Sequence, residues 1–146
     1  MRCLRPFASV GGLVLLASCA SSTAPTWSQI EQFRAAWSSH HLTRYAYDLE
    51  ITGYSIIWAG RPIHLVVLGD TVRSANYVAT GDSVPVAPTT FQTIDGLFAQ
   101  AIAARRAGTL VDIRFDLALS YPTEIVVSGL PDASGAVTAS NLQPLP

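Results

Sequence analysis

Apolar residues recur along this chain with two different periods, and the switches between them lay out an order of elements. From Trp27 to about His40, Ile30, Phe33 and Trp37 fall on one side of a helix, with Thr26 or Ser28 as cap and Ser28 and Glu31 reading as a capping box. The period then drops to two. Tyr45, Tyr47, Leu49 and Ile51 share one face of a predicted strand, and Asp48 and Glu50 share the other. Ile63 to Leu68 and Thr71 to Ala79 read as two more strands, paired through the loop Gly69-Asp70, which has glycine first as a type II′ hairpin prefers. Helical spacing returns after Pro85 and Pro88: Ile94, Leu97, Phe98, Ala101, Ile102 and Arg105 follow a Thr93 cap and stop at Gly108. In the last third, Val111, Ile113, Phe115 and Leu117 alternate with Asp112, Arg114 and Asp116, one face apolar and the other wet. Tyr121-Pro122 then turns the chain into a strand from Glu124 to Ser128, and a short final strand runs from about Ala136 to Leu142.

The order is αβββαβββ. Tight turns make successive strands antiparallel, and a sheet with one polar face needs cover only on the other. The expected class is therefore α+β: a curved, roughly six-stranded antiparallel sheet with both helices packed on one face.

The first 18 residues follow another pattern. Arg2 and Arg5 precede an apolar run from Phe7 to Ala17 that reads as an export signal. The run is shorter than the about 20 apolar residues that span a bilayer. It closes on Leu16-Ala17-Ser18-Cys19, which resembles the lipobox of bacterial lipoproteins. That resemblance implies a diacylglycerol on the Cys19 thiol, cleavage just before Cys19 and acylation of the new amine. The expected division is 1–18 signal peptide, 19–25 lipidated cysteine and tether, and 26–146 one domain. Ala20 to Pro25 reaches only about 20 Å when extended, so the domain is expected close to the membrane. Ala20 and Ser21 lack the aspartate that retains many lipoproteins at the inner membrane, which favours the outer membrane in a diderm cell.

Composition narrows the picture further. With 49% hydrophobic and 13% charged residues the chain is outside the disordered class. Removal of Arg2 and Arg5 from the nine basic residues leaves seven against ten acidic ones, a formal charge of −3 that disfavours nucleic acid and anionic headgroups as partners. Cys3 leaves with the signal and Cys19 is used by lipid, so no disulfide is expected in the domain.

Candidate chemistry is sparse. His40 and His41 are adjacent and diverge on a helix, while His64 stands on a strand without metal-ligand spacing, so neither metal nor cofactor is expected. Arg114 between Asp112 and Asp116 suggests a solvated ion-paired face in place of an acid–base pair, and no serine sits in a nucleophile motif. Trp37, Tyr45 and Tyr47 are expected in the core. Trp58 differs, standing with Ile56 and Ile57 beside the Ala59-Gly60 turn, where an exposed apolar tip would form a partner-binding site.

Three motifs carry a family resemblance: Trp37 spaced from Tyr45-Ala46-Tyr47 (W-x7-Y-x-Y), Thr93-Ile94-Asp95-Gly96-Leu97-Phe98, and Tyr121-Pro122-Thr123-Glu124-Ile125. Together they resemble a family of short exported bacterial lipoproteins known only as a domain of unknown function. The resemblance implies export and envelope attachment, and no activity. The expectation is a membrane-anchored, non-catalytic binding or interaction module with an envelope protein partner. The alternatives are a peptidase-inhibitor-like protein or an envelope hydrolase.

Overall fold

The computed structural model describes residues 26–53, 58–130 and 133–146. Helix α1 spans Trp27–Ser39 and α2 spans Ile94–Ala107; the strands are β1 Arg44–Thr52, β2 Ile63–Leu68, β3 Thr71–Tyr77, β4 Leu110–Phe115, β5 Pro122–Leu130 and β6 Ala133–Pro144. A single 3₁₀ turn, Pro88–Thr90, precedes α2. The class is α+β, as the hydrophobic pattern predicts.

The six strands lie in the order β3-β2-β1-β6-β5-β4, every neighbouring pair antiparallel. Two three-stranded meanders thus meet through the first strand of one and the last of the other. Both helices cover one face, where Ile30, Trp37, Leu97 and Phe98 join Tyr47, Leu49, Leu65, Val67, Ile113, Ile125 and Val137 in a single core. The opposite face carries Asp48, Glu50, His64, Arg114 and Glu124. The helices run antiparallel: Trp37 near the end of α1 donates its indole N–H to Asp95 at the start of α2 (3.4 Å), and Arg106 in the last turn of α2 lies over the Trp27 ring, 5.9 Å from its centroid. Among the described residues no helix is long and apolar enough to cross a membrane.

Local chemistry explains the boundaries. Thr26, in extended conformation, accepts the Gln29 N–H on Oγ1 (3.3 Å), and Gln29 Oε1 accepts the Thr26 N–H (2.9 Å). The capping box is therefore Thr26–Gln29, because Ser28 is already inside the helix. Thr93 Oγ1 accepts the Gly96 N–H (3.2 Å) to start α2, and left-handed Gly108 ends it.

Bulges account for the departures. Val111 has no partner in the β4–β5 register, which steps from Leu110↔Val127 to Asp112↔Val126. That extra residue shifts the alternation, so Leu110 and Ile113 face the core while Val111 is 49% exposed; Leu117, beyond the strand, is 87% exposed. Neither belongs to the apolar face to which the alternation assigned it. Strand β6 begins at Ala133 and not near Ala136, because its pairing with β5 continues to Leu130↔Ala133. Strand β3 stops at Tyr77, whose carbonyl accepts the Gly81 N–H in a turn (2.8 Å).

Neither rim of the sheet is a clean ladder. Along β3, the segment from Asp82 to Val84 bridges back, with the Val84 N–H on the Ala75 carbonyl (3.0 Å) and the Tyr77 N–H on the Asp82 carbonyl (2.9 Å). On β4, the Ile113 N–H is taken by the carboxylate of Asp112 (2.9 Å), next to the Val111 bulge.

Candidate functional site

A cleft opens on the helix-covered side of the sheet, and two tyrosines of β1 position its wall. The buried Tyr47 hydroxyl donates to the Gln92 carbonyl, and the Tyr45 hydroxyl accepts the Ile94 N–H at 3.0 Å. Burial dominates both phenols: it pushes the pKa of Tyr45 up to about 12 and raises that of Tyr47 further still. These contacts fix the segment from Phe91 to Thr93 against the sheet. Phe91 in turn meets Trp58 edge to face, with ring centroids 5.9 Å apart.

The resulting cleft holds about 280 Å³ and is lined by Leu49 and Ile51 of β1, Val137 of β6, Trp58, Thr90, Phe91, Gln92 and Gln100 of α2. Its lining is mainly apolar. Gln100 Oε1 is buried and has no hydrogen-bond partner among the described residues. A buried amide oxygen without a partner is costly, so the cleft is chemically suited to an apolar group that brings one donor.

A second cluster lies on the polar face. Asp48 Oδ1 accepts from His64 Nδ1 at 2.7 Å, and Asp48 Oδ2 accepts from Asn141 Nδ2 at 2.8 Å. Asn141 sits where β6 carries an extra residue against β1, and its φ of +54° is the left-handed region. The bulge aims its amide at the carboxylate. The Asp48 side chain is 13% exposed and that of His64 49%, so the imidazole is held through one nitrogen with the rest of the ring toward solvent. This is the arrangement that orients a general base. Ser140, the register partner of Asp48, stands across it from His64, and no hydroxyl is bonded to the imidazole among the described residues.

The residues singled out in the sequence fall in different places. Trp58 is half-buried and lines the cleft. Ile56, Ile57 and Cys19 lie outside the described residues. His40 and His41 are exposed at the end of α1. Arg114 Nε bridges Asp112 (3.4 Å) and Glu124 (3.2 Å), and Asp116 Oδ1 caps a turn by accepting the N–H groups of Ala118 and Leu119. Their carboxylates are thus committed to structure. Among the described residues no group of three or more His, Cys, Asp or Glu could hold a metal ion. The Asp48–His64 pair escaped sequence reasoning because its signal lies in the β1–β2 register, where Asp48 faces His64 directly.

A family model described only as a family of unknown function matches residues 29–144. No curated protein and no solved structure matches the chain.

Proposed function

The chain belongs to the DUF6174 family, whose function is unknown, and from that premise we propose that it is a lipid-anchored envelope protein whose folded domain is a non-catalytic binding module. The anchor reading rests on the leader and on Leu16-Ala17-Ser18-Cys19. Several acyl chains on Cys19, each buried methylene contributing about 0.8 kcal/mol, would hold the protein on a membrane where one chain would be marginal. The observation that carries the binding reading is the Trp58 cleft, an apolar hollow of about 280 Å³ with a Gln100 oxygen that has no partner among the described residues. Ligand pockets start at about 300 Å³, so the occupant is a single ring or a short chain end.

Two measurements test this. Replacing Cys19 by Ala should leave the domain folded and release it from membranes, because the core begins downstream at Ile30; a variant that still sediments with membranes sinks the anchor reading. For the cleft, the chain begun at Ala20 should be titrated with indole, a flat apolar ring with one N–H donor. Resonances of Trp58 and the Gln100 side-chain amide should shift, and Q100L should weaken the effect. Resonances unmoved up to the solubility limit of indole remove the cleft as a ligand site.

One observation favours a hydrolase as the second reading: the Asp48–His64 pair. Turnover of an ester, peptide or glycan substrate that H64Q abolishes would establish it in place of the binding module.

A further inference from the structure

We infer that the end of the domain bearing Trp27 and Arg106 rests on the bilayer interface, so that the protein is oriented on its membrane as well as tethered to it. The inference builds on the lipid-anchor reading above. Trp27 is the first residue of α1 and is 40% exposed. Only Ala20 to Pro25 and the capping Thr26 separate it from Cys19, and the six residues from Ala20 to Pro25 extend at most about 20 Å. The capping box at Thr26 and Gln29 fixes the direction in which the chain enters the helix, so the tether always leaves from this end.

What this end presents matches a lipid headgroup layer. Tryptophan concentrates at membrane interfaces because its ring is apolar and its N–H needs a polar partner. Beside it, the Arg106 guanidinium lies 5.9 Å from the ring centroid. Arginine can lay its stem along such a surface while its head stays with the phosphates. Val111, turned outward by the β4 bulge and 49% exposed, belongs to the same end, since β4 starts just after α2 stops at Gly108. The net negative charge of the domain argues against a broad electrostatic contact. A contact centred on one tryptophan does not need one.

The experiment uses the full protein purified from membranes and reconstituted in phosphatidylcholine vesicles whose acyl chains are brominated near the glycerol end. Bromine quenches tryptophan on contact. Part of the emission should be lost on reconstitution, and W27F in a W58F background should abolish that loss, because the remaining Trp37 is buried. Mass spectrometry of the Cys19 peptide from the same preparation separates the two readings. Lipid on Cys19 with no Trp27-dependent quenching, or quenching that persists in W27F/W58F, overturns the orientation and leaves the anchor standing. An unmodified Cys19 overturns both.

Discussion

The phenol oxygen of Tyr45 accepts the backbone N–H of Ile94 at 3.0 Å, tying the middle of the sheet to the first residue of α2. Tyr47 donates to the Gln92 carbonyl two residues earlier, and Trp37 donates to Asp95 one residue later. Trp37 also meets Tyr45 and Tyr121 edge to face, at 5.5 and 6.5 Å between centroids. The three motifs that carry the family resemblance therefore converge on one aromatic cluster. Their shared task is to seat the start of α2, which in turn places Phe91 and Gln92 at the cleft.

Removing one hydroxyl from this cluster should be costly. In Tyr47→Phe the ring stays packed, but the part-buried bond to the Gln92 carbonyl is lost, which costs about 0.5–1.5 kcal/mol. Urea unfolding should show that loss; an unchanged midpoint would mean that water replaces the phenol.

Alkali should unfold the domain through the same residues. Tyr45 titrates at about 12 when folded, against an ordinary value of 10.0, and Tyr47 is raised as well. A raised folded-state pKa means that the folded state holds the proton more tightly. The stabilisation is complete below pH 10, the ordinary value, and is lost as pH rises toward 12. Denaturation midpoints followed from neutral pH upward should fall across that window, and both phenols in Phe variants should flatten the decline. A decline of equal size in Y45F/Y47F would assign it to other groups.

Gly53 is fixed by space as well as by backbone conformation. A Cβ built on it would lie 2.2 Å from the Ser134 carbonyl oxygen, at a φ of +79°. Gly81 has nearly the same φ, +76°, with open space around it. Gly81→Ala should cost about 1–2 kcal/mol, the usual penalty of left-handed backbone, and Gly53→Ala clearly more. Equal thermal midpoints for the two variants would contradict the close approach of the chains there.

Asn141 should tolerate glycine better than a branched residue. Glycine keeps the left-handed bulge and loses only the bond to Asp48, whereas valine adds about 1–2 kcal/mol of backbone strain. Comparing N141G with N141V by chemical denaturation checks the ranking, and a valine variant as stable as the glycine one would argue that the bulge can relax.

Legibility in the sequence followed the locality of the forces. Helix α2 was readable from end to end because its cap, its apolar stripe and its stop all lie within the segment. The β2–β3 hairpin is readable because two loop residues set its first pairs, Leu68↔Thr71 and Val67↔Val72; the extra residue at Arg73, which shifts the pairing beyond them, is not. In strand β4 Ile113 and Phe115 face the core as the alternation predicts, while Val111 does not, because the bulge beside it is specified by pairing with β5. The cleft was only half visible: Trp58 stood out as an unassigned aromatic, but Leu49, Phe91, Gln100 and Val137 come from four separate parts of the chain. The Asp48–His64 contact likewise needed the pairing of two strands that a long connection separates.

If the protein is held on a membrane by the lipid proposed above, the treatment of the two sheet rims has a consequence there. Molecules confined to a plane encounter their own copies far more often than the same number dispersed in a volume. An unguarded outer strand would then recruit its neighbours, strand upon strand, into fibres. With one border folded under by its own loop and the other kinked and self-capped by an aspartate, crowding can bring copies together without zipping them up.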